Sequence, residues 1–274
     1  MINDDNLQDY RTILKAEMTW GLGEIQILHP PGTFALTPAS QISIQAIGEN
    51  QELLTGNGID WRSGTGCLAI AAAKITKVNK VWGLEISEAN VKIAQKNARL
   101  NGVEDKARFM RSNSYSPFQE NDLRILDALT GQVNFILANP PASEGDDGFG
   151  YRRIVLKGAR KYLLNEGLVF FSISYQYGLL RVERLRQEIP GFVYGGVLAS
   201  TDWVPFDLNR PDLLHCLELY AQEESQGGPE YIFSNPEAPN DERMNAQSAL
   251  AYFRRTGRSP LSKWQTHLFR YSLR

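Results

Sequence analysis

An α/β fold with a doubly wound, mostly parallel sheet is the fold class that the sequence predicts, on three observations. From about residue 57 to residue 221, short β-like runs alternate with helical patterns. Alternation at this length calls for crossover units, because parallel strands cannot be joined by tight hairpins. The run "GIDW" passes through Gly64 and Gly66 into "GCLAIAAAK", a strand, a tight turn and a helix in succession. The next β-like run, "KVWGLEIS", carries an acid, Glu85, at its end.

Taken in order, residues 1–50 form an N-terminal extension with room for one or two short helices and a β-like piece, "GEIQILHP". A second region, 51–222, holds the alternating pattern. Its helix from Glu88 to Leu100 has an apolar stripe of Val91, Ile93, Ala94 and Ala98, with Ser87 as N-cap and Asn101-Gly102 as stop. "ARFMRS" and "VNFILAN" follow as strands. The run from Arg152 to Leu164 reads as a helix burying Ile154, Leu156, Ala159 and Leu163, with its arginines and lysines facing water. "LVFFSIS", the helix "LLRVERLRQEI" and "FVYGGVLA" come next, and "DLLHCLELYA" has the composition of a strand. Residues 223–274 form a C-terminal extension. It opens with the linker-like "QEESQGGPE", continues as a helix in "DERMNAQSALAYFRR" and finishes with "KWQTHLFRYSLR".

The totals narrow the function classes. The chain has 274 residues and a formal charge of −2, so any nucleic-acid partner must be held by a local patch. No apolar run is long enough to span a bilayer and no segment reads as a signal peptide, so no membrane partner is expected. Cys67 and Cys216 are far apart, and free thiols in a cytoplasmic setting are the simplest reading. Two cysteines and the scattered His29, His215 and His267 argue against a metal site and against histidine-dependent nucleophilic catalysis. Near the end, arginines and Lys263 interleave with Tyr252, Phe253, Trp264, Phe269 and Tyr271. Such a run can pair phosphates and stack bases, or pack its aromatics on the domain; packing is the preferred reading.

The glycine turn points to a nucleoside ligand. Glycine allows positive φ and close approach, and the helix N-terminus offers N–H groups. Glu85, twenty-one residues past Gly64, stands where a carboxylate accepts from both ribose hydroxyls of an adenosine-containing ligand. "DWRSGTG" lacks the dinucleotide pattern and resembles motif I of class I S-adenosylmethionine-dependent methyltransferases. The resemblance implies a Rossmann-like, seven-stranded sheet with S-adenosylmethionine as cofactor. It places Asp60 near the cofactor's amino-acid end, Ser63, Gly64 and Gly66 in the loop beneath it, and Glu85 on the ribose. Asn113, in "FMRSNSY", then stands where this superfamily reads adenine, although a strand-terminal asparagine in a turn accounts for it equally. Arg62 departs from the pattern, occupying the place of the motif's first glycine.

"FILANPPASEGDDG" ends a buried strand in Asn139, Pro140 and Pro141. An amide or aromatic amino nitrogen is a poor nucleophile because its lone pair is delocalised. Accepting hydrogen bonds from its N–H groups favours a pyramidal nitrogen, and Asn139's side-chain carbonyl and Pro140's backbone carbonyl are candidate acceptors. The prolines stiffen the loop that holds them. "NPPA" resembles the Asn-Pro-Pro-aromatic motif of amino-methyltransferases. The following "DDGFGYRRIVLKGARKYLLNEGLVFFSISYQYG" resembles the HemK-type glutamine N5-methyltransferases among them. "FALTPAS" is placed like the segment that closes over the cofactor in these enzymes, with Phe34, Thr37 and Ser40 as candidate contacts.

These likenesses run from about Phe34 to Gly178 and imply N-methylation of an amide or amino group. The acceptor is left as a protein, an RNA or a small molecule, and a non-catalytic binding protein of the same fold is the alternative. Ala142 replaces the aromatic that sandwiches a planar substrate, which suggests a bulkier acceptor or an aromatic supplied by Tyr175, Tyr177 or Trp203. Glu144, Asp146 and Asp147 would repel phosphate if they faced the site, or form a solvated turn. The oligomeric state is not legible.

Overall fold

Side-chain alternation along the central strands builds the molecule as two packed layers on one sheet. In the computed structural model, which describes residues 9–143 and 146–273, Phe135 and Leu137 face one core, while Ile136 and Ala138 face the other. Val169 and Phe171 likewise oppose Leu168 and Phe170. A strand buried on both faces needs a continuous apolar run, and "VNFILA" and "GLVFFS" supply it.

The elements follow in chain order. A hairpin of β1 (Arg11–Leu14) and β2 (Ile25–Leu28) precedes α1 (Pro38–Glu49). The alternating region holds β3 (Gly56–Trp61), α2 (Cys67–Ala73), β4 (Val78–Glu85), α3 (Glu88–Leu100), β5 (Ala107–Asn113) and the two-residue β6 (Ser116–Pro117). It continues with α4 (Glu120–Ala128), β7 (Val133–Ala138), α5 (Gly150–Tyr162), β8 (Leu163–Ser172), α6 (Gly178–Glu188) and β9 (Phe192–Ser200). Then come β10 (Val204–Pro205), α7 (Pro211–Ser225), β11 (Phe233–Ser234), β12 (Arg243–Met244), α8 (Ala246–Thr256), β13 (Leu261–Ser262) and β14 (Gln265–Tyr271).

The main sheet has the order β6-β5-β4-β3-β7-β8-β14-β9. Strands β3, β4, β5, β7 and β8 are mutually parallel, and β14 runs antiparallel between β8 and β9. The doubly wound expectation holds, with the short β6 added at the edge. Winding starts at β3, goes outward to β5, and returns to β7 on the other side of β3. That reversal leaves a crevice at the carboxyl ends of β3 and β7. Four short strands, in the order β10-β13-β11-β12, form a small second sheet, and α7 and α8 pack beside it against the core shared with α4, α5 and α6.

Several expectations change. "DLLHCLELYA" is part of helix α7, not a strand: Leu217, Tyr220, Ala221 and Glu224 are buried at helical spacing, and Pro211 starts the helix. Part of the 223–274 segment belongs to the main sheet, because β14 fills the place between β8 and β9. Its aromatics pack: Tyr252, Phe269 and Tyr271 are buried. In α5 the buried stripe is Arg152, Val155, Leu156, Ala159 and Tyr162, so Ile154 is exposed and Arg152 is inside. Helix α3 follows its expected stripe, and Ser87 Oγ accepts from Asn90 N–H.

Candidate active site

The strand ends at the crevice carry the residues singled out from sequence. A cavity of about 480 Å³ opens there, lined by Phe34, Thr37, Asp60, Ser63, Gly64 and Glu85 together with Asn139, Pro140, Pro141 and Ala142. Gly66 and Asn113 are not among its lining residues. Gly66, at φ = +90°, begins α2 against Phe109, where a Cβ would come within 2.7 Å of the ring. Asn113 is exposed and pairs with Ser116 at the sheet edge.

Glu85 is buried and well tied. Its Oε2 accepts from Gly64 N–H at 2.9 Å, while Oε1 accepts from Ser87 N–H at 2.8 Å and Asn90 Nδ2 at 3.2 Å. A carboxylate has about four acceptor positions, so one remains for a ligand hydroxyl. Asn90 also accepts from Phe34 N–H at 3.0 Å, and Thr65 Oγ1 donates to the Phe34 carbonyl at 3.0 Å. These bonds hold the Phe34 ring against Gly64, where a Cβ would lie 3.0 Å from it. Asn97, not foreseen from sequence, secures the same turn by donating to the Thr65 and Leu28 carbonyls.

Asp60 sits beneath the turn. Its Oδ2 accepts from Ala69 N–H at 3.0 Å, capping α2. Burial, with the charge of Glu85, outweighs that bond and pushes its carboxyl up to about 8. Burial and the Asp60 charge also push the Cys67 thiol up to about 12, so it is an inert thiol. Ser63 Oγ is buried without a hydrogen-bond partner. An orphaned hydroxyl in a glycine turn, below a carboxylate with an acceptor to spare, fits a polar nucleoside ligand.

Asn139 is oriented by α1. The capping box of that helix joins Thr37 and Ser40, and Asn139 Nδ2 donates to Ser40 Oγ at 3.4 Å. The amide nitrogen is thus engaged, and Oδ1, on the other arm of the amide, is available as an acceptor. Arg152 holds the rest of the loop. Its guanidinium donates to the carbonyls of Gly148 at 2.9 Å, Ser172 at 3.2 Å, and Pro140 and Pro141 at 3.5 Å. It lies between Phe149 and Tyr177, about 5 Å from each ring centroid. The signal for it was present in the i, i+3, i+4, i+7 spacing of 152, 155, 156 and 159, which an arginine-faces-water reading passes over.

Aromatics from later in the chain line the cavity that Ala142 also lines. Tyr177, Phe206, Tyr220 and Trp264 line the cavity, with Leu213 and Cys216 of α7. Tyr175 and Trp203 instead pair with each other at 5.0 Å. Gln176 is a further lining residue, its Oε1 accepting from Ser262 Oγ at 2.6 Å. The loop acids serve the turn: Asp146 accepts from Ser143 Oγ and Gly148 N–H, and Asp147 forms a two-bond pair with Arg153. Burial would raise the Asp147 carboxyl, but Arg153 outweighs it and holds it below the usual range. Glu144 lies outside the described residues.

Comparison with known proteins places this geometry in a family. The chain is 26% identical over 187 residues to the release factor glutamine methyltransferase of Thermodesulfovibrio yellowstonii, covering 60% of this chain and 66% of that one. It is 26% identical over 203 residues to the ribosomal protein L11 methyltransferase of Desulforamulus reducens, covering 73% and 54%. It spans between 40% and 66% of the lengths of three release factor glutamine methyltransferases that it matches. A methyltransferase structure from Pyrococcus furiosus, 16% identical, shares the fold with a TM-score of 0.50, over 93% of this chain and 91% of that one. Residues 24–182, more than half of the chain, match the family described as Methyltransferase small domain, and the chain belongs to that family.

Proposed function

We propose that the protein is an S-adenosylmethionine-dependent N-methyltransferase acting on an amide or amino nitrogen of a protein or an RNA. Phe34, Thr37, Asp60, Ser63, Gly64 and Glu85 hold the cofactor, which supplies a methyl group already activated on a sulfonium. Gly66 supports them through packing alone. The observation that carries the acceptor chemistry is the Asn139 amide, whose nitrogen is held by Ser40 so that its carbonyl is the arm left for the ligand.

In this reading Asn139 Oδ1 and the Pro140 carbonyl accept from the acceptor's N–H groups. Arg152 already donates to Pro140, but at 3.5 Å it leaves a lone pair on that oxygen. Fixing the nitrogen this way aims its lone pair at the methyl carbon, and holding the reactants so is most of the catalytic task. The new N–C bond forms as the C–S bond breaks, and the nitrogen's proton leaves to water.

A small-molecule acceptor is the second reading. It is favoured by the apolar side chains of Phe206, Leu213 and Trp264, which line the same cavity as Ala142. Transfer of labelled methyl from S-adenosylmethionine to cell protein, RNA and small-molecule fractions separates the acceptors. Asn139→Ala is expected to lower transfer at least about 100-fold, the scale of losing one transition-state hydrogen-bonding group, with donor affinity unchanged. Undiminished turnover in a folded Asn139→Ala protein would refute the acceptor role.

A further inference from the structure

Arg62 departs from what its turn requires. Its φ is +55°, in the left-handed region where glycine sits without strain and an L side chain does not. Strain of this kind persists where the side chain has something to do. The guanidinium lies 4.2 Å from the centroid of the Tyr151 ring and 5.2 Å from that of Trp61. Arg62 lines the cavity, and its Nε is buried without a hydrogen-bond partner.

The other charged groups of the cavity are already engaged. Arg152 is bound to four carbonyls, and Arg210 pairs with Asp212. Glu85 holds three donors, and Asp60 keeps its proton at neutral pH. Among the described residues, the Arg62 side chain makes no hydrogen bond and no ion pair; Arg152 also lacks an ion pair, but its guanidinium is already taken up by carbonyls, which leaves the fork of Arg62 open to a ligand.

We propose that Arg62 anchors a carboxylate bound in this cavity. A guanidinium presents a planar fork that matches a carboxylate with two parallel N–H···O bonds. The aromatic faces of Tyr151 and Trp61 fix the fork before the ligand arrives. A phosphate fits less well. The N-terminus of α2, where a phosphate would be seated, is capped by Asp60, and Glu85 and Asp212 in the same cavity oppose a doubly charged phosphate more than a singly charged carboxylate. The carboxylate comes from the amino-acid end of the methyl donor or from the methyl acceptor. The inference goes beyond the proposed reaction, since it holds whichever nitrogen is methylated.

Calorimetric titration of the full chain tests it, with wild type, Arg62→Gln and Arg62→Lys and three probes. S-adenosylhomocysteine carries the carboxylate, 5′-methylthioadenosine is the same nucleoside thioether without the amino acid, and benzoate is a free carboxylate titrated in the presence of the latter. If the donor's carboxylate is held, Arg62→Gln weakens S-adenosylhomocysteine by roughly 10- to 100-fold and leaves 5′-methylthioadenosine unchanged. Arg62→Lys then recovers part of the loss. If the acceptor's carboxylate is held, both nucleosides bind normally and benzoate binding is lost in Arg62→Gln.

Two outcomes overturn the assignment. One is equal behaviour of wild type and Arg62→Gln toward all three probes. The other is equal weakening of both nucleosides, which marks Arg62 as packing only. A wild type that binds neither nucleoside counts against the methyltransferase reading instead, and the benzoate arm then decides for Arg62.

Discussion

Asp60→Asn isolates the cost of ionising a carboxyl buried beneath the glycine turn. The side chain is 1% exposed, and its carboxyl is raised from 3.8 to about 8 by burial, with the Glu85 charge adding to it. Between those two values the unfolded chain has released the proton and the folded chain retains it. The fold therefore binds more protons than the unfolded state, and stability falls as pH rises through that window. The slope is about 1.4 kcal/mol per pH unit, so the loss between pH 5 and pH 8 reaches up to about 4 kcal/mol. Asparagine has the same shape, keeps an oxygen for Ala69 N–H, and does not titrate. Urea unfolding of both proteins at several pH values gives the comparison. The advantage of Asp60→Asn is expected to grow steadily from pH 5 to pH 8 and then level off, as the folded carboxyl ionises too. A difference that stays constant across that range would show that the buried carboxyl ionises normally and would refute the reasoning.

Two further substitutions test the scaffold around the site. His267, buried with its Nε2 2.9 Å from the Ile173 carbonyl and its Nδ1 2.9 Å from the Tyr194 hydroxyl, is lowered from 6.5 to about 4, chiefly by burial. Its contribution has the opposite sign to that of Asp60, with stability lost as pH falls from 6.5 toward 4. His267→Gln is expected to flatten that part of the stability profile, measured by the same unfolding series. Arg152→Lys keeps the charge but cannot reach four carbonyls. It is expected to cost about 2 kcal/mol of stability and to lower methyl transfer while calorimetric donor affinity stays within about threefold, roughly 0.65 kcal/mol.

Local chemistry by itself determined the strand–helix alternation, the glycine turn, the acid at the end of β4 and the Asn-Pro-Pro loop. Each is set by residues close together in the chain: Ser87 caps the helix that follows it, Gly66 starts α2 because only glycine fits there, and the prolines set their own φ. Those features placed Asp60, Ser63, Gly64, Glu85 and Asn139 around one cavity. Asn113 shows the limit, because whether a strand-end residue faces a crevice or a sheet edge depends on its neighbouring strand. Arg152 shows it from the other side. An arginine reads as a surface residue until Gly148, Ser172 and the proline carbonyls, from separate parts of the chain, converge on it. The composition of α7 favours a strand, and it is packing of Tyr220 on its buried face against Tyr177 and Tyr231 that goes with the helix. Strand β14 could not be placed from sequence, because a strand's position in a sheet is chosen by partners far away in the chain. Here those partners are β8, paired from Leu168 to Ser172, and β9, paired from Phe192 to Ser200. Groups that answer to neighbours in sequence are legible from it, while burial, charge compensation and strand order are set by contacts that exist only once the chain has folded.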